Sequence, residues 1–324
     1  MTEHEIDTQL TKYLADVHAI EEQALTQLRR APEIAGDERL SAIFEQHLSE
    51  TRGQENLIRN CLEVRGADPS TLKDVAGRLG GLGMVAFAQA NPDTPGKLTA
   101  HAYSYEHMEI AAYELLLRVA SRAGDEESAE VAHANLDEER AMASRLEDNF
   151  EIAVAASLRS VEPDSLDEQL VKYLIDAHAI EQQSIQLLTK GPDLVDDDQL
   201  AGVFRDHLAE TEEQSRRIAE RLEAHEAKPS RFQDTAMRAG GLNFGAFFAA
   251  QPDTTAKLGG FAFAFEHLEI AAYELLRRMA ERADDEATVE VARSIADQER
   301  SAAARVAALW DVAVEGGLAE QGVA

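Results

Sequence analysis

Glutamates recur at mirrored positions in the two halves of this chain, on helix faces that should be dry. Residues 5–158 repeat as residues 165–318 at a constant offset of 160. An unpaired buried carboxylate is unfavourable and normally takes up a proton. Two divalent cations would bring five such groups close to neutrality, so the pattern predicts a two-metal site in each half. The glutamates retained at mid-length on apolar stripes are Glu21, Glu50, Glu106, Glu109 and Glu139, and in the second copy Glu181, Glu210, Glu266, Glu269 and Glu299.

Chance is the alternative explanation, because 61 of the 324 residues are acidic and some glutamates fall on any helix face. Agreement among four helices in both halves argues against chance. Carboxylate oxygens with a little imidazole favour iron or manganese over structural zinc, and they also suit magnesium or calcium. We therefore expect two iron or manganese ions in each half.

Divergence between the two copies separates site positions from surface positions. Glu138 becomes Gln298 in the second copy, whereas the neighbouring Glu139 remains a glutamate as Glu299. A metal ligand has to be kept in both copies if both sites work. Glu139 and Glu299 are therefore the predicted ligands from the fourth helix of each half.

Three mirrored histidine pairs and one glutamine pair accompany the glutamates. His18 and His47 each stand three residues before a candidate ligand glutamate, a spacing that keeps both side chains on one helix face. They are either direct ligands or residues that hydrogen-bond the ligands, and both interpretations stay open. The full set is His18, His47, Gln54, His107, His178, His207, Gln214 and His267. No residue is assigned a catalytic role.

The elements that carry these residues are predicted to be helices. Ala, Leu, Glu and Arg dominate, and period-two apolar runs are absent. In the first half, apolar residues recur every three or four positions over four spans, which turn residues separate: about 4–30, 38–65, 97–123 and 126–157. Two short loops and one long crossover between the second and third helices are typical of a ferritin-like four-helix bundle.

The second half repeats this plan, so we predict an all-α fold of two tandem ferritin-like four-helix bundles. The crossover of about 67–96 contains Gly80-Gly81 and Asn91-Pro92, and short helices are expected within it. The predicted domains are residues 1–158 and 165–324, with residues 159–164 as the linker. Such a short linker keeps the halves adjacent, as an internal pseudo-two-fold dimer. We expect one or two chains per particle and no ferritin-type cage.

Composition excludes several classes of partner. The formal charge of −30 argues against nucleic acid and anionic membrane surfaces, and 7 Lys against 24 Arg resembles proteins of salt-loving organisms. The chain has no membrane-length apolar run and no signal-peptide core, so we expect a soluble cytoplasmic protein. Cys61 is the sole cysteine, which excludes disulfides and thiolate metal sites within one chain.

Three motifs resemble the YciE/YciF family of ferritin-like, stress-associated proteins. They are His-Leu-x-Glu-Thr at 47–51, Glu-His-x-Glu-Ile-Ala-x-Tyr at 106–113, and the paired acids before Arg140. The resemblance implies a ferritin-like bundle in which Glu21, Glu50, Glu106, Glu109 and Glu139 hold two metals. Ferritin-like di-metal proteins usually carry Glu-x-x-His on two helices. Here Gly53 and Met142 stand at those histidine positions, and no Cys-x-x-Cys module for electron delivery is present.

These features give three functional hypotheses. The first is a two-metal centre in each half that oxidises iron(II) or removes peroxide if it turns over. The second is a non-enzymatic stress or scaffold protein whose acidic cluster holds a redox-inert cation or protons. The third, a metal-dependent hydrolase, ranks last because no substrate cleft is recognisable.

Overall fold

The computed structural model describes residues 3–67, 95–159, 162, 165–229 and 253–323. These residues form helices and no strands, which confirms the all-α class. None of their helices is long and apolar enough to cross a membrane. The two crossovers with their predicted short helices, and most of the predicted linker, lie outside the described residues.

Among the described residues, six helices of the first half and five of the second follow the repeat. In the first half they are α1 (Glu3–Leu28), α2 (Ala31–Ile34), α3 (Glu38–Val64), α4 (Pro95–Ala123), α5 (Glu126–Glu147) and α6 (Phe150–Ser157). In the second half they are α7 (Leu166–Lys190), α8 (Asp198–Ala224), α9 (Thr254–Arg282), α10 (Glu286–Ala307) and α11 (Trp310–Glu320), with a 3₁₀ turn at Gly191–Asp193. The four long spans predicted for each half are therefore helical.

Aspartates start the second and fourth long helices of each half. The Asp37 side chain accepts a hydrogen bond from the Arg39 N–H at 2.9 Å, and Asp125 accepts one from the Ser128 N–H at 2.9 Å. Asp197 and Asp285 do the same in the second half. Each cap satisfies an N–H that has no partner within its helix, and this fixes where the helix begins.

The predicted fourth helix, 126–157, is wrong in one respect, because the chain turns between Glu147 and Phe150. The Asn149 side-chain amide donates to the Arg145 carbonyl at 2.6 Å and competes with the helical backbone. The second half turns at Leu309 without such an amide, so packing also contributes. After the turn, Phe150 lies with its ring centroid 5.3 Å from that of Tyr103, and Trp310 lies 5.2 Å from Phe263.

The four long helices of each half contact one another in a ring. Helices α1 and α5 each pack on both α3 and α4, and α7 and α10 each pack on both α8 and α9. Fully buried apolar side chains fill the rings, among them Leu14, Phe44 and Leu116 in the first half and Leu174 and Phe204 in the second. Each such side chain contributes roughly 1.5–3 kcal/mol relative to exposure. The rings bring the retained glutamates of different helices together.

Helices α4 and α9 join the two halves through reciprocal contacts. Lys97 Nζ lies 3.1 Å from Asp176 Oδ2, and Lys257 Nζ, 160 positions after Lys97, lies 3.1 Å from Asp16 Oδ2. The Ser104 hydroxyl donates to the carbonyl oxygen of Ala264 at 2.8 Å. Contacts that repeat with the two partners exchanged are the pattern of a self-complementary two-fold interface. The pattern agrees with an internal pseudo-dimer, and the number of chains per particle stays a prediction.

Candidate metal centre

One histidine and three glutamates from three helices of the first half meet in the interior. His47 comes from α3, Glu106 and Glu109 from α4, and Glu139 from α5, and each offers a ligand atom within 4.8 Å of the others. Glu106 and Glu109 are three residues apart, so they share one face of α4. All four residues are at most 2 % exposed. Carboxylates and imidazole held this close and this dry are a donor set for a metal ion.

The second half builds the same group from the mirrored residues. His207, Glu266, Glu269 and Glu299 also place one ligand atom each within 4.8 Å of the others. All four are at most 1 % exposed. The geometry is therefore a property of the repeated sequence and occurs twice in the chain.

The histidine in each group lies between inner and outer carboxylates. His47 Nε2 is 3.0 Å from Glu106 Oε2, and its Nδ1 is 3.2 Å from Glu50 Oε2. His207 repeats this arrangement, with 2.9 Å to Glu266 and 3.0 Å to Glu210. An outer carboxylate on Nδ1 fixes the tautomer and the orientation of a ring whose Nε2 faces a metal.

Burial and mutual repulsion disfavour the ionised carboxylates. Burial, reinforced by neighbouring glutamates, raises the pKa of Glu109, Glu139, Glu269 and Glu299 well above the ordinary range. Burial also raises the pKa of Glu21 to about 8. A cation in the group would remove this cost, because it stabilises the ionised ligands.

Burial and the neighbouring carboxylates shift the pKa of the His47 imidazole in opposite directions. Loss of water favours neutral His47, but the carboxylates of Glu106 and Glu50 outweigh this and raise the pKa of His47 to about 9. These shifts favour the imidazolium form of His47 and the protonated forms of Glu109 and Glu139.

Several buried carboxylate oxygens have no hydrogen-bond donor among the described residues. In the first half they include both oxygens of Glu109, both oxygens of Glu139 and Oε2 of Glu21. In the second half they include Oε2 of Glu181 and Oε1 of Glu269. Buried acceptors without partners are rare in folded proteins. Metal ions would supply the missing partners, so the residues present fit a metal-binding site.

Glu21 and Glu50, two of the predicted ligands, lie beside the first-half group of four. Glu21 is fully buried and accepts a hydrogen bond from the Tyr113 hydroxyl. Glu50 lies at the edge with its side chain 24 % exposed, and Arg145 donates to its Oε2 at 2.6 Å. In the second half Glu181 pairs with Tyr273, and Glu210 pairs with Arg305. Glu50 and Glu210 thus hold the histidine of each group from outside.

The other predicted histidines lie outside the two groups. His18 Nε2 is 2.9 Å from Glu55 Oε1, and its counterpart His178 is not part of the second group. The rings of His107 and His267 stack on each other between the halves, with centroids 3.4 Å apart. Their Nδ1 atoms each lie 2.8 Å from the carbonyl oxygen four residues earlier.

The predicted glutamines contact different partners in the two halves. The Gln54 amide donates to Glu138 Oε2 at 3.0 Å. The Gln214 amide donates to Gln298 Oε1 at 3.2 Å and also to Glu299 Oε1. The amide oxygens of both glutamines are buried without a donor among the described residues, so each can serve as a neutral oxygen ligand.

Two kinds of neighbour contact the groups without having been assigned a partner from the sequence. Arg145 and Arg305, which hold Glu50 and Glu210, were assigned no role, although they are mirrored by the repeat. The hydroxyls of Tyr113 and Tyr273 donate to Glu21 and Glu181, and the sequence pattern does not name these acceptors. Retention of a charged or hydroxyl side chain in both copies was the available signal.

Fold and site together define an all-helical protein with two buried groups of histidine and glutamate that can hold metal ions. Residues 5–159 and 165–319 each match the family described as a domain of unknown function, DUF892. The chain belongs to this family and carries two tandem copies of its domain.

A curated relative supports the same assignment. The chain is 30 % identical over 141 residues to protein YciF of Escherichia coli (strain K12). The matched segment covers 42 % of this chain and 84 % of that protein. The resemblance to the YciE/YciF family is thereby confirmed. No solved structure matches the chain significantly.

Proposed function

We propose that each half holds a carboxylate-rich centre for two metal ions, iron or manganese. The observation that carries this proposal is the group of one histidine and three glutamates, buried in both halves, with carboxylate oxygens that lack donors among the described residues. A single acidic cluster arises easily in so acidic a chain. Two clusters in register, each closed to water and short of hydrogen bonds, favour metal binding over chance.

The residues of the first half would have the following roles. His47, Glu106, Glu109 and Glu139 provide the ligand atoms, and the free oxygen of Glu21 lies beside them. Glu50 accepts the Nδ1 proton of His47 and leaves Nε2 for a metal. The Tyr113 hydroxyl donates a hydrogen bond to Glu21 and orients that carboxylate beside the group. Bound iron or manganese would supply redox chemistry, which suits oxidation of iron(II) or removal of peroxide.

A second candidate is a non-enzymatic stress protein whose groups hold a redox-inert cation or protons. Each group contains one imidazole. Positions 53 and 142, where ferritin-like di-metal proteins usually carry histidine, hold Gly53 and Met142. The resemblance to the YciE/YciF family supports a role in stress responses under either candidate.

We also infer the architecture that carries the two centres. Each half, residues 1–158 and 165–324, is a ferritin-like four-helix bundle, and residues 159–164 join them. The ring of four long helices in each half and the tandem family match support this division. The placement of ligands on three facing helices also agrees with such a bundle.

Metal analysis of protein purified without chelators tests the proposal. We expect about four transition-metal ions per chain, as two per bundle requires. The double variant Glu106→Ala/Glu266→Ala should lose most of them while it keeps its helical circular dichroism. Equal metal content in both proteins would contradict the proposal. Oxygen and peroxide consumption by the loaded protein then distinguish the redox candidate from the non-enzymatic one.

A further inference from the structure

The glutamine next to each metal-binding group bonds differently in the two halves. In the first half the Gln54 amide donates to Glu138 on α5 at 3.0 Å. In the second half the Gln214 amide reaches the predicted ligand Glu299 as well as Gln298. Gln54 and Gln214 are identical residues at identical positions, so the difference has to come from their neighbours.

The substitution that accounts for the difference lies at position 138, which becomes 298 in the second copy. Glu138 is an exposed carboxylate, and a charged acceptor binds an amide N–H more strongly than a neutral carbonyl does. It therefore holds the Gln54 amide away from Glu139. Gln298 offers a neutral amide oxygen at a longer 3.2 Å, and the Gln214 amide turns toward the ligand carboxylate.

This difference changes how many ligand oxygens are free. Both oxygens of Glu139 lack a donor among the described residues, whereas Oε1 of Glu299 is taken by Gln214. Ser184 adds to the difference, because its hydroxyl donates to Glu269 Oε2 at 3.3 Å where the first half has Ala24. Carboxylates with both oxygens free can bridge two cations without losing a hydrogen bond. In the second half a cation at Glu299 Oε1 or Glu269 Oε2 would share that oxygen with a hydrogen-bond donor.

We propose that the two centres bind divalent cations with unequal affinity, the first half more tightly, and that positions 138 and 298 set the difference through the neighbouring glutamine. The proposal rests on the proposed metal-binding function and adds that the centre of the first half fills before that of the second half. Glu138 and Gln298 act as positioning residues, because neither contributes an atom to the buried groups.

Titration of the metal-free full-length protein with Mn²⁺, monitored by calorimetry, tests the proposal. A hydrogen bond to a charged group is strong enough to separate the two classes of site by about tenfold in Kd. Glu138→Gln should weaken the tight class toward the weak one. Gln298→Glu should strengthen the weak class, and the double exchange should reverse the assignment. Glu109→Gln, checked for folding by circular dichroism, should abolish the tight class and Glu269→Gln the weak class.

Two controls distinguish an effect that acts through the glutamine amide from an effect of lost charge alone. Asp137→Asn removes a charge from the exposed residue next to Glu138 and should leave both affinities unchanged. In a Gln54→Met background, Glu138→Gln should no longer alter the tight class, because the amide that Glu138 holds is gone.

The outcomes distinguish this proposal from the metal-binding function itself. Two classes of equal affinity, or Mn²⁺ affinities that the exchanges at 138 and 298 do not change, would overturn the proposal and leave the metal function standing. A Glu138→Gln effect that persists in the Gln54→Met background would also overturn it, because charge alone would then be the cause. Protein that binds no Mn²⁺ in any variant would overturn the metal function and this proposal together.

Discussion

The rings of His107 and His267 stack with their centroids 3.4 Å apart and their planes 12° apart. The two residues occupy the same position in the two repeats, so the stack lies where the halves mirror each other. Each histidine follows a predicted metal ligand, Glu106 or Glu266, in the chain. The contact between the halves and the two buried groups are therefore built on the same two helices.

The first prediction concerns this stack. His107→Ala and His267→Ala should each lower the free energy of unfolding by about 1–2 kcal/mol, because each removes a buried ring and its partner's stacking surface. Since the rings touch, the double variant should cost less than the sum of the two, with a coupling of about 0.5–1.5 kcal/mol. Urea unfolding of the four proteins measures it. Additive losses would show that the stack contributes nothing of its own.

The second prediction concerns salt. The chain carries a formal charge of −30, and ions screen repulsion between exposed like charges. The melting temperature should therefore rise between low and molar potassium chloride. Thermal unfolding followed by circular dichroism checks this. Equal melting temperatures across the series would contradict it.

The third prediction concerns Glu274, which is held by Arg277, Arg278 and Arg300. Burial opposes the charged form, but the three guanidinium groups outweigh it and lower the pKa of Glu274 to about 2. The folded pKa lies below the unfolded one, so the stabilisation is complete above about pH 4.5 and is lost as the pH falls toward 2.

Glu274→Gln should therefore cost about 1–2 kcal/mol at pH 7, after allowance for solvent screening of the arginines, and little at pH 2. Chemical unfolding of wild type and variant at both pH values measures the difference. Glu220→Gln is the matched control, because this glutamate pairs with Arg216 on the exposed face of α8. The same loss at both pH values would show that packing, and not charge, explains the Glu274 effect.

The fourth prediction concerns metal and stability. A cation that binds the folded chain alone stabilises it by about 2.7 kcal/mol per site at a hundredfold excess over Kd. Addition of Mn²⁺ should therefore raise the melting temperature of metal-free protein, and a chelator should reverse the change. His47→Ala/His207→Ala should show a smaller rise, because each group loses its imidazole. A rise of equal size in this variant would place the bound ions elsewhere.

The repeat predicts much of the site from sequence alone. Glu106, Glu109 and Glu139 were identified because both copies retain them on apolar stripes, and the structure brings them together. Retention in both copies does not decide whether His47 or Glu50 supplies the ligand from α3. They lie three residues apart on one face of α3, and Arg145 on another helix draws Glu50 outward. That contact is tertiary, so periodicity within α3 does not contain it.

The spans of the helices were predicted more completely than the helix ends and the contacts between helices. The spans predicted from 38 and from 126 agree with the starts of α3 at Glu38 and of α5 at Glu126. The turn after Glu147 was missed, because the apolar period continues through it and the packing of Phe150 on Tyr103, which contributes to the turn, is a tertiary contact. The role of His107 was also ambiguous from the sequence, because its neighbour Glu106 belongs to the buried group. The position of the His107 ring is explained by its stacking on His267 of the other half.

The last prediction concerns the number of chains per particle. Helices α4 and α9 cover each other within one chain through the stacked histidines. The reciprocal pairs Lys97–Asp176 and Lys257–Asp16 add contacts of α4 with α7 and of α9 with α1. A surface that a single repeat would use to pair with a second copy is thereby already occupied. We expect light scattering to give one or two chains per particle, both at low and at molar salt. A shell of 24 chains would need each half to present that surface outward, and its detection would refute the internal pairing of α4 with α9.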